Sequence, residues 1–308
     1  MSGAAVTRAK KGIYAAAATP LNSDGAPDGD KLASYCSWLI AQGLDGVAPM
    51  GTTGEGNSLP LSFRLALPAK LADAGLSSDQ VIMGTGACSV SDAAAATRAS
   101  LDAGFNSVLV LPPFYYKGVS DTGLYGYYAR LIDLVGDARL RVYFYHFPAM
   151  SMTPISVELI QLLRGEFGLL IAGLKDSSGD MQGTLRFAKA VADFDVFPSN
   201  EGSLIEAVAG GCAGIISATT QVAPALCRAT VNAAGAEKEL LLSALRDVRA
   251  AVSKHSLMAA VKEVQALRSG DAGWRAVLPP LVPLSPQAAA DLKSDLDVLA
   301  DRAGALAG

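Results

Sequence analysis

A lysine stands directly after an apolar stretch at residues 171–174, where a buried strand is expected to end. Lys175 places an amine at this point, in the run Ile-Ala-Gly-Leu-Lys-Asp-Ser-Ser-Gly. Burial disfavours the charged form of an amine, and a neutral amine can attack a carbonyl carbon to form a Schiff base. Most lysines at strand ends are simply solvated, so this reading depends on which other residues converge on the same place.

A phenol is expected beside that amine. The run Val-Tyr-Phe-Tyr-His-Phe-Pro at residues 142–148 is typical of a strand, in which side chains alternate between two faces. Tyr143 and Tyr145 therefore share one face and His146 takes the other, where a hydrogen-bonded packing role is favoured over a catalytic one. Neighbouring strands lie about 4.8 Å apart. Tyr145 and Lys175 could thus meet over one substrate atom as an acid/base and nucleophile pair.

A glycine-rich turn supplies candidate anion ligands. Residues 51–57 read Gly-Thr-Thr-Gly-Glu-Gly-Asn. Such a turn exposes backbone N–H groups, and together with the hydroxyls of Thr52 and Thr53 these form a cradle for a small carboxylate. An ordinary turn anchored by Glu55 is an equal alternative. The turn lacks the Gly-Lys-Ser/Thr element of a nucleotide-binding Walker A loop.

Three other strand ends carry weaker candidates. Tyr115 lies in an aromatic cluster after the fourth strand, where loop packing is the usual role. Ile216, on the eighth strand, offers a backbone carbonyl near the floor of the pocket or simply packs in the core. Asn200 and Glu201, after the seventh strand, are placed to hydrogen-bond substrate hydroxyls or to cap a helix.

These residues require a scaffold that brings strand ends together. Apolar, β-rich stretches predict eight strands at 12–18, 45–50, 80–86, 108–112, 141–147, 170–175, 194–199 and 213–218. Segments with helical spacing separate them, at 30–42, 63–74, 91–103, 121–135, 156–164, 181–193 and 203–210. Eight strands alternating with helices predict an α/β protein with a (β/α)₈ TIM barrel, whose C-terminal strand ends form one pocket. A doubly wound sheet remains the alternative.

The barrel is expected to occupy residues 1–230, with a small C-terminal helical domain at 231–308. The second segment is rich in Ala and Leu and is broken at Pro279, Pro280 and Pro283.

Composition indicates an ordinary soluble globular protein. Of the 308 residues 51% are apolar and 18% are charged, and the net charge is −4. The mild acidity and the lack of a basic run argue against nucleic-acid binding, and no apolar stretch is long enough for a signal peptide or membrane span. A cytoplasmic location is expected. Two histidines are too few for a histidine-rich metal site.

The four cysteines share no metal-binding spacing. They lie in apolar or small-residue stretches, so buried free thiols are expected at Cys36, Cys88, Cys212 and Cys227.

Taken in order along the chain, these motifs resemble the dihydrodipicolinate synthase and N-acetylneuraminate lyase family of pyruvate-dependent class I aldolases. The matching segments are Gly12-Ile with Thr19-Pro-Leu21, Gly51-Thr-Thr-Gly-Glu55, Pro113-Phe-Tyr115, Tyr145-His-Phe-Pro148, Gly173-Leu-Lys175 and Gly214-Ile-Ile-Ser217. Each motif is weak alone, whereas their order and spacing are specific.

The resemblance implies a role for each candidate. It implies Lys175 as the Schiff-base lysine, Tyr145 as the phenol that moves protons, and the turn at 51–53 as the carboxylate site. Tyr115 matches the tyrosine that reaches a neighbouring subunit's site in the synthase branch of the family. Ile216 matches the position whose backbone carbonyl lies near the Schiff base. The resemblance also implies a homotetramer built from tight dimers, and no metal or organic cofactor.

One departure bears on the substrate. In the synthases the motif at the fifth strand typically reads Tyr-Asn-x-Pro-x-Arg, and the arginine binds the carboxylate of the aldehyde substrate. Here Met150 takes the arginine position. A thioether cannot form a bidentate ion pair, and an unpaired buried carboxylate costs on the order of 2–5 kcal/mol of binding. The motif resembles instead the branch acting on sialate and sugar acids, whose aldehyde part is neutral and hydroxylated.

The sequence therefore predicts a lyase that cleaves or condenses a 2-oxo acid of the sugar-acid type, with pyruvate as the enamine partner and an aldehyde as the second molecule. Dihydrodipicolinate synthase and a 2-oxo-3-deoxy sugar-acid dehydratase are alternatives among enzymes. A paralogue that binds pyruvate without turnover is the alternative outside catalysis.

Overall fold

A computed structural model describes the backbone of residues 6–306 and the side chains of residues 6–299. Residues 1–5 and 307–308, which the prediction assigned to the barrel and to the helical extension, lie outside the described residues.

Within residues 6–306, eight short parallel strands form the centre of the protein. They are β1 (Gly12–Ala15), β2 (Gly46–Val47), β3 (Met83–Gly84), β4 (Ser107–Val110), β5 (Arg141–His146), β6 (Ile171–Asp176), β7 (Asp195–Pro198) and β8 (Gly214–Ser217). One group has the order β2-β1-β8, and the other runs β3-β4-β5-β6-β7.

The two groups close into a barrel through hydrogen bonds at their edges. Between β2 and β3, the Ile82 N–H donates to the Val47 carbonyl at 3.0 Å. Between β7 and β8, the Ala213 N–H donates to the Val196 carbonyl at 2.8 Å. The strands thus follow one another in sequence order around a closed circle, which is a (β/α)₈ barrel. The predicted barrel is confirmed and the doubly wound alternative is wrong.

Helices surround the strands. They are α1 (Gly29–Ala41), α2 (Leu61–Asp73), α3 (Val90–Asp102), α4 (Asp121–Val135), α5 (Pro148–Ser151), α6 (Val157–Phe167), α7 (Met181–Ala188), α8 (Leu204–Ala209), α9 (Pro224–Asn232), α10 (Gly235–Ser253), α11 (Leu257–Ser269) and α12 (Pro286–Leu306). Side chains of Asp28, Ser89, Ser120 and Ser156 cap four of them, each accepting a backbone N–H of the first turn.

Side-chain alternation along the strands separates two apolar layers. One cluster fills the barrel and includes Tyr14, Tyr143, Tyr145 and Ile216. The other lies between strands and helices and includes Phe144. Tyr143 and Tyr145 thus share one face, as the sequence predicted, and that face is the inner one, while Phe144 faces the helices.

Several predicted bounds are wrong. The first strand ends at Ala15 rather than at residue 18, because the Ala18 N–H donates to the Gln221 side chain instead of to a neighbouring strand. The helix predicted over 181–193 ends at Ala188, where the Ala190 N–H donates to the Phe187 carbonyl and tightens the backbone into a turn.

The C-terminal segment is helical, as predicted, and packs back onto the barrel. Trp274 is buried against Tyr35 of α1, with ring centroids 4.8 Å apart. The helical pattern is broken at the prolines, as predicted, because the chain between Arg275 and Pro286 is not helical. Within the described residues, every helix is too short or too polar to cross a membrane.

Cys36, Cys212 and Cys227 are buried free thiols, as predicted. The prediction is wrong for Cys88, which is exposed. Its stretch of small residues precedes α3 as a surface loop instead of belonging to the core.

Candidate active site

Tyr145 and Lys175 meet inside the barrel at the C-terminal ends of adjacent strands. The two residues are directly opposite one another in the β5–β6 register. The Lys175 ammonium donates a hydrogen bond to the Tyr145 hydroxyl at 3.1 Å, and its Nζ lies 4.2 Å from the centroid of the Tyr145 ring. Lys175 is only 3% exposed and Tyr145 only 4%. The predicted meeting of amine and phenol is confirmed.

Gly173 makes this register possible. It lies opposite Tyr143, and a Cβ there would come within 2.6 Å of the Tyr143 ring while overlapping the Asp195 carbonyl oxygen. Such distances are too short for a side chain. The Gly-Leu-Lys order therefore leaves space for the Tyr143 ring below the lysine.

A second hydroxyl extends the pair. The Tyr145 hydroxyl donates to Thr52 Oγ1 at 3.2 Å. Lys175, Tyr145 and Thr52 thus form a continuous hydrogen-bonded chain from β6 through β5 to the turn after β2. Such a chain can carry a proton between a bound substrate and the phenol. Thr52 and Tyr145 of this chain line a cleft together with Gly51.

The turn after β2 has an unusual backbone. Met50, just before the turn, and Glu55, within it, have φ values of 58° and 57°, a left-handed conformation uncommon outside glycine. Thr53 is buried, and the Glu55 carboxylate is fully buried against Lys262 of α11. The structure therefore confirms Glu55 as the anchor of the turn, and the role of Gly51, Thr52 and Thr53 in carboxylate binding stays a prediction.

His146 faces away from the barrel interior. Its Nδ1 accepts the Ile155 N–H at 3.0 Å, and its ring packs edge-on against Phe187 with centroids 5.1 Å apart. Burial lowers the pKa of His146, and the nearby Asp176 carboxylate opposes this by raising it. The predicted packing role is confirmed.

Asn200 and Glu201 are held by protein partners. The Asn200 side chain accepts the Gly202 N–H at 2.9 Å and so caps a short 3₁₀ helix, which was the alternative to substrate binding. Glu201 is 1% exposed, and its carboxylate accepts hydrogen bonds from Ser217 and Arg249. The structure gives this carboxylate an anchoring role, and hydroxyl binding by the pair stays a prediction.

The remaining candidates lie at different depths. Ile216 is fully buried in the barrel interior. Tyr115 is 74% exposed, and its ring packs edge-on against that of Tyr116. Met150 lies on α5 and is 55% exposed. Within this single chain, neither Tyr115 nor Met150 lines the cleft beside Tyr145.

Sequence reasoning missed residues that line the cleft and one that packs beside it. Leu109 and Leu111 line it from β4 and the segment after it, and Phe147 stacks on Tyr145 with ring centroids 5.8 Å apart. Alternation along β4 could have identified Leu109, which has the inward parity. The partners Arg249 and Lys262 carry no local signal, because they reach the site from helices far along the chain.

Comparison with known families agrees with this geometry. The model of the dihydrodipicolinate synthetase family matches residues 9–299. The chain belongs to this family. Its members are aldolase-type lyases, and the protein is accordingly an enzyme of the lyase class.

Individual members of the dihydrodipicolinate synthetase family are similar over nearly the whole chain. An uncharacterized DapA-like lyase of Chloroflexus aurantiacus is 35% identical over 291 residues, which cover 92% of this chain and 95% of the relative. A crystal structure of dihydrodipicolinate synthase from Agrobacterium tumefaciens superposes with a TM-score of 0.85 at 30% identity, covering 94% and 99% of the two chains.

A more distant structure shares the fold. YagE, a prophage protein of this family from E. coli K12 whose structure is a complex with pyruvate, gives a TM-score of 0.85 at 24% identity, with 94% of this chain and 98% of that chain covered. At this identity the likeness shows the barrel fold. Among the described residues, no group of three or more His, Cys, Asp and Glu side chains is placed to hold a metal ion.

Proposed function

We propose that the protein is a Schiff-base-forming class I aldolase that cleaves or condenses a 2-oxo acid, with pyruvate as the enamine partner. The observation that carries the proposal is the hydrogen-bonded chain from Lys175 through Tyr145 to Thr52. It joins a buried amine to a phenol and a hydroxyl, which are the nucleophile and the proton-transfer groups that this chemistry needs. The pyruvate bound by the family member YagE supports the choice of 2-oxo acid.

Lys175 begins the reaction. Its neutral amine attacks the C2 carbonyl of the 2-oxo acid, and the carbinolamine that forms loses its hydroxyl as water after receiving a proton from Tyr145. The product is a protonated imine between Nζ and C2. The cationic imine accepts the electron pair of the C3–C4 bond as that bond breaks.

Tyr145 completes the proton balance. As a phenolate, with Thr52 relaying, it takes the proton of the C4 hydroxyl while the C3–C4 bond breaks, and the C4 fragment leaves as an aldehyde. Tyr145 then gives this proton to C3 of the enamine, which restores the protonated imine. Water adds at C2, pyruvate leaves as the amine is regenerated, and the proton released returns to the Tyr145 phenolate. Condensation is the same sequence in reverse. Expulsion of water from a related enamine would make the enzyme a sugar-acid dehydratase.

The turn at residues 51–53 binds the carboxylate next to C2. Thr52 borders both the cleft and the Tyr145 hydroxyl. A carboxylate at the turn would therefore hold the C2 carbon near Lys175, and this orientation is a large part of the rate enhancement that such sites achieve.

For the aldehyde half we propose a neutral, hydroxylated group of the sugar-acid type. Met150 supports this choice, because its thioether cannot pair with the carboxylate of an acidic aldehyde. The second candidate is dihydrodipicolinate synthase, favoured by the 30% identity with the Agrobacterium tumefaciens synthase.

We also propose that the enzyme assembles as a homotetramer, in which Tyr115 reaches the active site of a neighbouring subunit. The support is the exposure of Tyr115 and Tyr116, which present a pair of aromatic rings to solvent in the single chain. Large exposed aromatic groups are enriched at protein interfaces.

The direct test is pyruvate release from a panel of 2-oxo-3-deoxy sugar acids, followed with lactate dehydrogenase. Activity in the wild type that is absent in Lys175→Ala supports the aldolase. The synthase candidate is tested by condensing pyruvate with aspartate semialdehyde, for which Met150 predicts poor activity. Reversible pyruvate binding without turnover of the sugar acids or of aspartate semialdehyde would indicate a pyruvate-binding protein without catalytic activity.

A further inference from the structure

The pair formed by Glu55 and Lys262 is the most deeply buried ion pair that the structure describes. Both side chains are 0% exposed, and they come from positions 207 residues apart. Two charges taken out of water lose much of their hydration, so a buried pair is weak evidence for a stabilising role by itself. The structural consequence of the pair lies in the two segments that it joins.

One side of the pair is the turn that follows β2. The Glu55 N–H donates to the Thr52 carbonyl at 3.0 Å, and the Ser58 N–H donates to the Glu55 carbonyl at 2.8 Å. Glu55 itself has a φ of 57°, a conformation that costs energy for any residue with a side chain. The surrounding structure must therefore hold Glu55 in place, and the backbone of Glu55 is hydrogen-bonded to that of Thr52.

The other side of the pair is the C-terminal segment. Lys262 lies in α11 between core residues, and its ammonium meets one carboxylate oxygen of Glu55. The Leu278 N–H, from the chain between α11 and α12, donates to the other oxygen. Both oxygens of one carboxylate are thus used to tie two parts of the C-terminal segment to the turn.

Packing leaves the turn little freedom of its own. A Cβ on Gly54 would lie 2.7 Å from the Ala17 carbonyl oxygen, and one on Gly56 would overlap the carbonyl oxygen of Met50. Thr19 also donates to the Gly54 carbonyl at 2.7 Å. The side of the turn towards Ala17 and Thr19 is thus closely packed, and the Glu55 carboxylate ties the turn to the C-terminal segment.

We propose that Lys262 is a positioning residue of the active site, which holds Glu55 and thereby places Thr52 and the backbone N–H groups of the turn to receive the carboxylate of pyruvate. The C-terminal helical segment is then part of the machinery for substrate binding. This role rests on the proposed function, since it assigns the turn to the carboxylate of a 2-oxo acid.

The test measures how much pyruvate is needed to label the enzyme. Wild type and Lys262→Met are incubated with a series of pyruvate concentrations and borohydride, and the labelled fraction is read by mass spectrometry. We expect the half-saturating concentration to rise at least about tenfold in Lys262→Met, because a misplacement of about 1 Å in a binding group can cost on the order of 100-fold. The labelled fraction at saturation is expected to match the folded fraction.

A matched control separates positioning from stability. Leu163 is fully buried on α6, and Leu163→Ala destabilises the barrel through a cavity. Loss of folded protein lowers the amount labelled but leaves the half-saturating concentration unchanged, so this variant is expected to keep the wild-type value. If Lys262→Met does not fold, Glu55→Gln is used, which removes the charge from the turn but keeps an oxygen for the Leu278 N–H.

Two results would overturn the proposal in distinguishable ways. A labelled wild type together with a folded Lys262→Met whose half-saturating concentration stays within about twofold would remove the positioning role alone, since that ratio is under 0.5 kcal/mol. No labelled wild type at any pyruvate concentration would remove the proposed function, and the positioning role with it.

Discussion

Replacing Tyr145 by phenylalanine removes one oxygen atom from the centre of the site. That oxygen accepts a hydrogen bond from Lys175 at 3.1 Å and donates one to Thr52 at 3.2 Å, and it is the group proposed to carry protons in both directions. A positioned acid/base group contributes about 100- to 10,000-fold to the rate, which corresponds to about 3–5.5 kcal/mol of barrier. We therefore expect kcat of Tyr145→Phe to be about 100- to 10,000-fold lower than that of the wild type.

Thr52 provides the matched comparison. Thr52→Val keeps the shape of the side chain and removes its hydroxyl. The lost hydrogen bond to Tyr145 is expected to cost about 0.5–1.5 kcal/mol, or about two- to tenfold in kcat, and the lost contact with the substrate carboxylate is expected to raise KM. Because the two hydroxyls act in one chain, the double variant is expected to be no slower than Tyr145→Phe alone.

The assay is steady-state pyruvate release with the best substrate of the panel, together with thermal unfolding to confirm that each variant folds. The reasoning is refuted if Thr52→Val is as slow as Tyr145→Phe, or if the losses of the two single variants add in the double variant. Additive losses would mean that the hydroxyls act independently, and an equally slow Thr52→Val would mean that Thr52 is more than a relay for the phenol.

Four further predictions concern specificity, acidity, packing and thiol exposure. Met150→Arg restores a guanidinium, so condensation of pyruvate with aspartate semialdehyde is expected to rise at least about tenfold; unchanged activity would place position 150 away from the aldehyde. Burial holds the pKa of His146 below its usual 6.5. At pH values between the pKa of His146 in the native state and its pKa in the unfolded chain, the native state therefore binds fewer protons. Stability is therefore expected to be full above about pH 6.5 and to fall as the pH drops through that window, with a shallower fall in His146→Asn by urea unfolding; equal slopes would contradict this. Gly173→Ala should lose about 1–3 kcal/mol by overpacking, whereas Gly126→Ala, whose Cβ meets nothing within 4 Å inside α4, should gain about 0.5–1 kcal/mol; equal urea midpoints would count against the Gly173 argument. A thiol reagent should modify Cys88 rapidly in the native enzyme and the other three cysteines only on unfolding; fast reaction of a second thiol would show that one of the buried sites opens.

The parts of the site that the sequence predicts are those set by strand geometry. Lys175 and Tyr145 each follow an apolar run, the runs are neighbours in the sheet, and alternation determines which side chains face inward. Once the barrel is assigned, topology alone brings the two residues together. The outward position of His146 follows from the same alternation.

The contacts that the sequence does not predict join distant segments. Glu201 reads as a polar residue after a strand, and only the folded chain brings Arg249 of α10 to its carboxylate. Lys262 reads as one more charge on a helix, although it is fully buried against Glu55. The residue type does not distinguish a charge that is paired in the interior from one in solvent. The pairing depends on how the C-terminal helices pack on the barrel.

Predictions from short local features are wrong for a related reason. Cys88 lies in a stretch of small residues that resembles buried sequence, but the stretch is a loop leading into α3. The first strand is predicted to end too late, because the Gln221 side chain takes the place of a strand partner for the Ala18 N–H. Composition does not reveal where a backbone N–H leaves the sheet.

The central claim is a covalent imine between Lys175 and pyruvate, and borohydride trapping tests it most directly. The wild-type enzyme is treated with pyruvate and borohydride, digested, and mapped by tandem mass spectrometry. We predict one modified peptide that contains residues 171–179 and carries the reduced adduct on Lys175, and no adduct in Lys175→Ala. An unmodified wild type, or an adduct on another lysine that persists in Lys175→Ala, would contradict the mechanism.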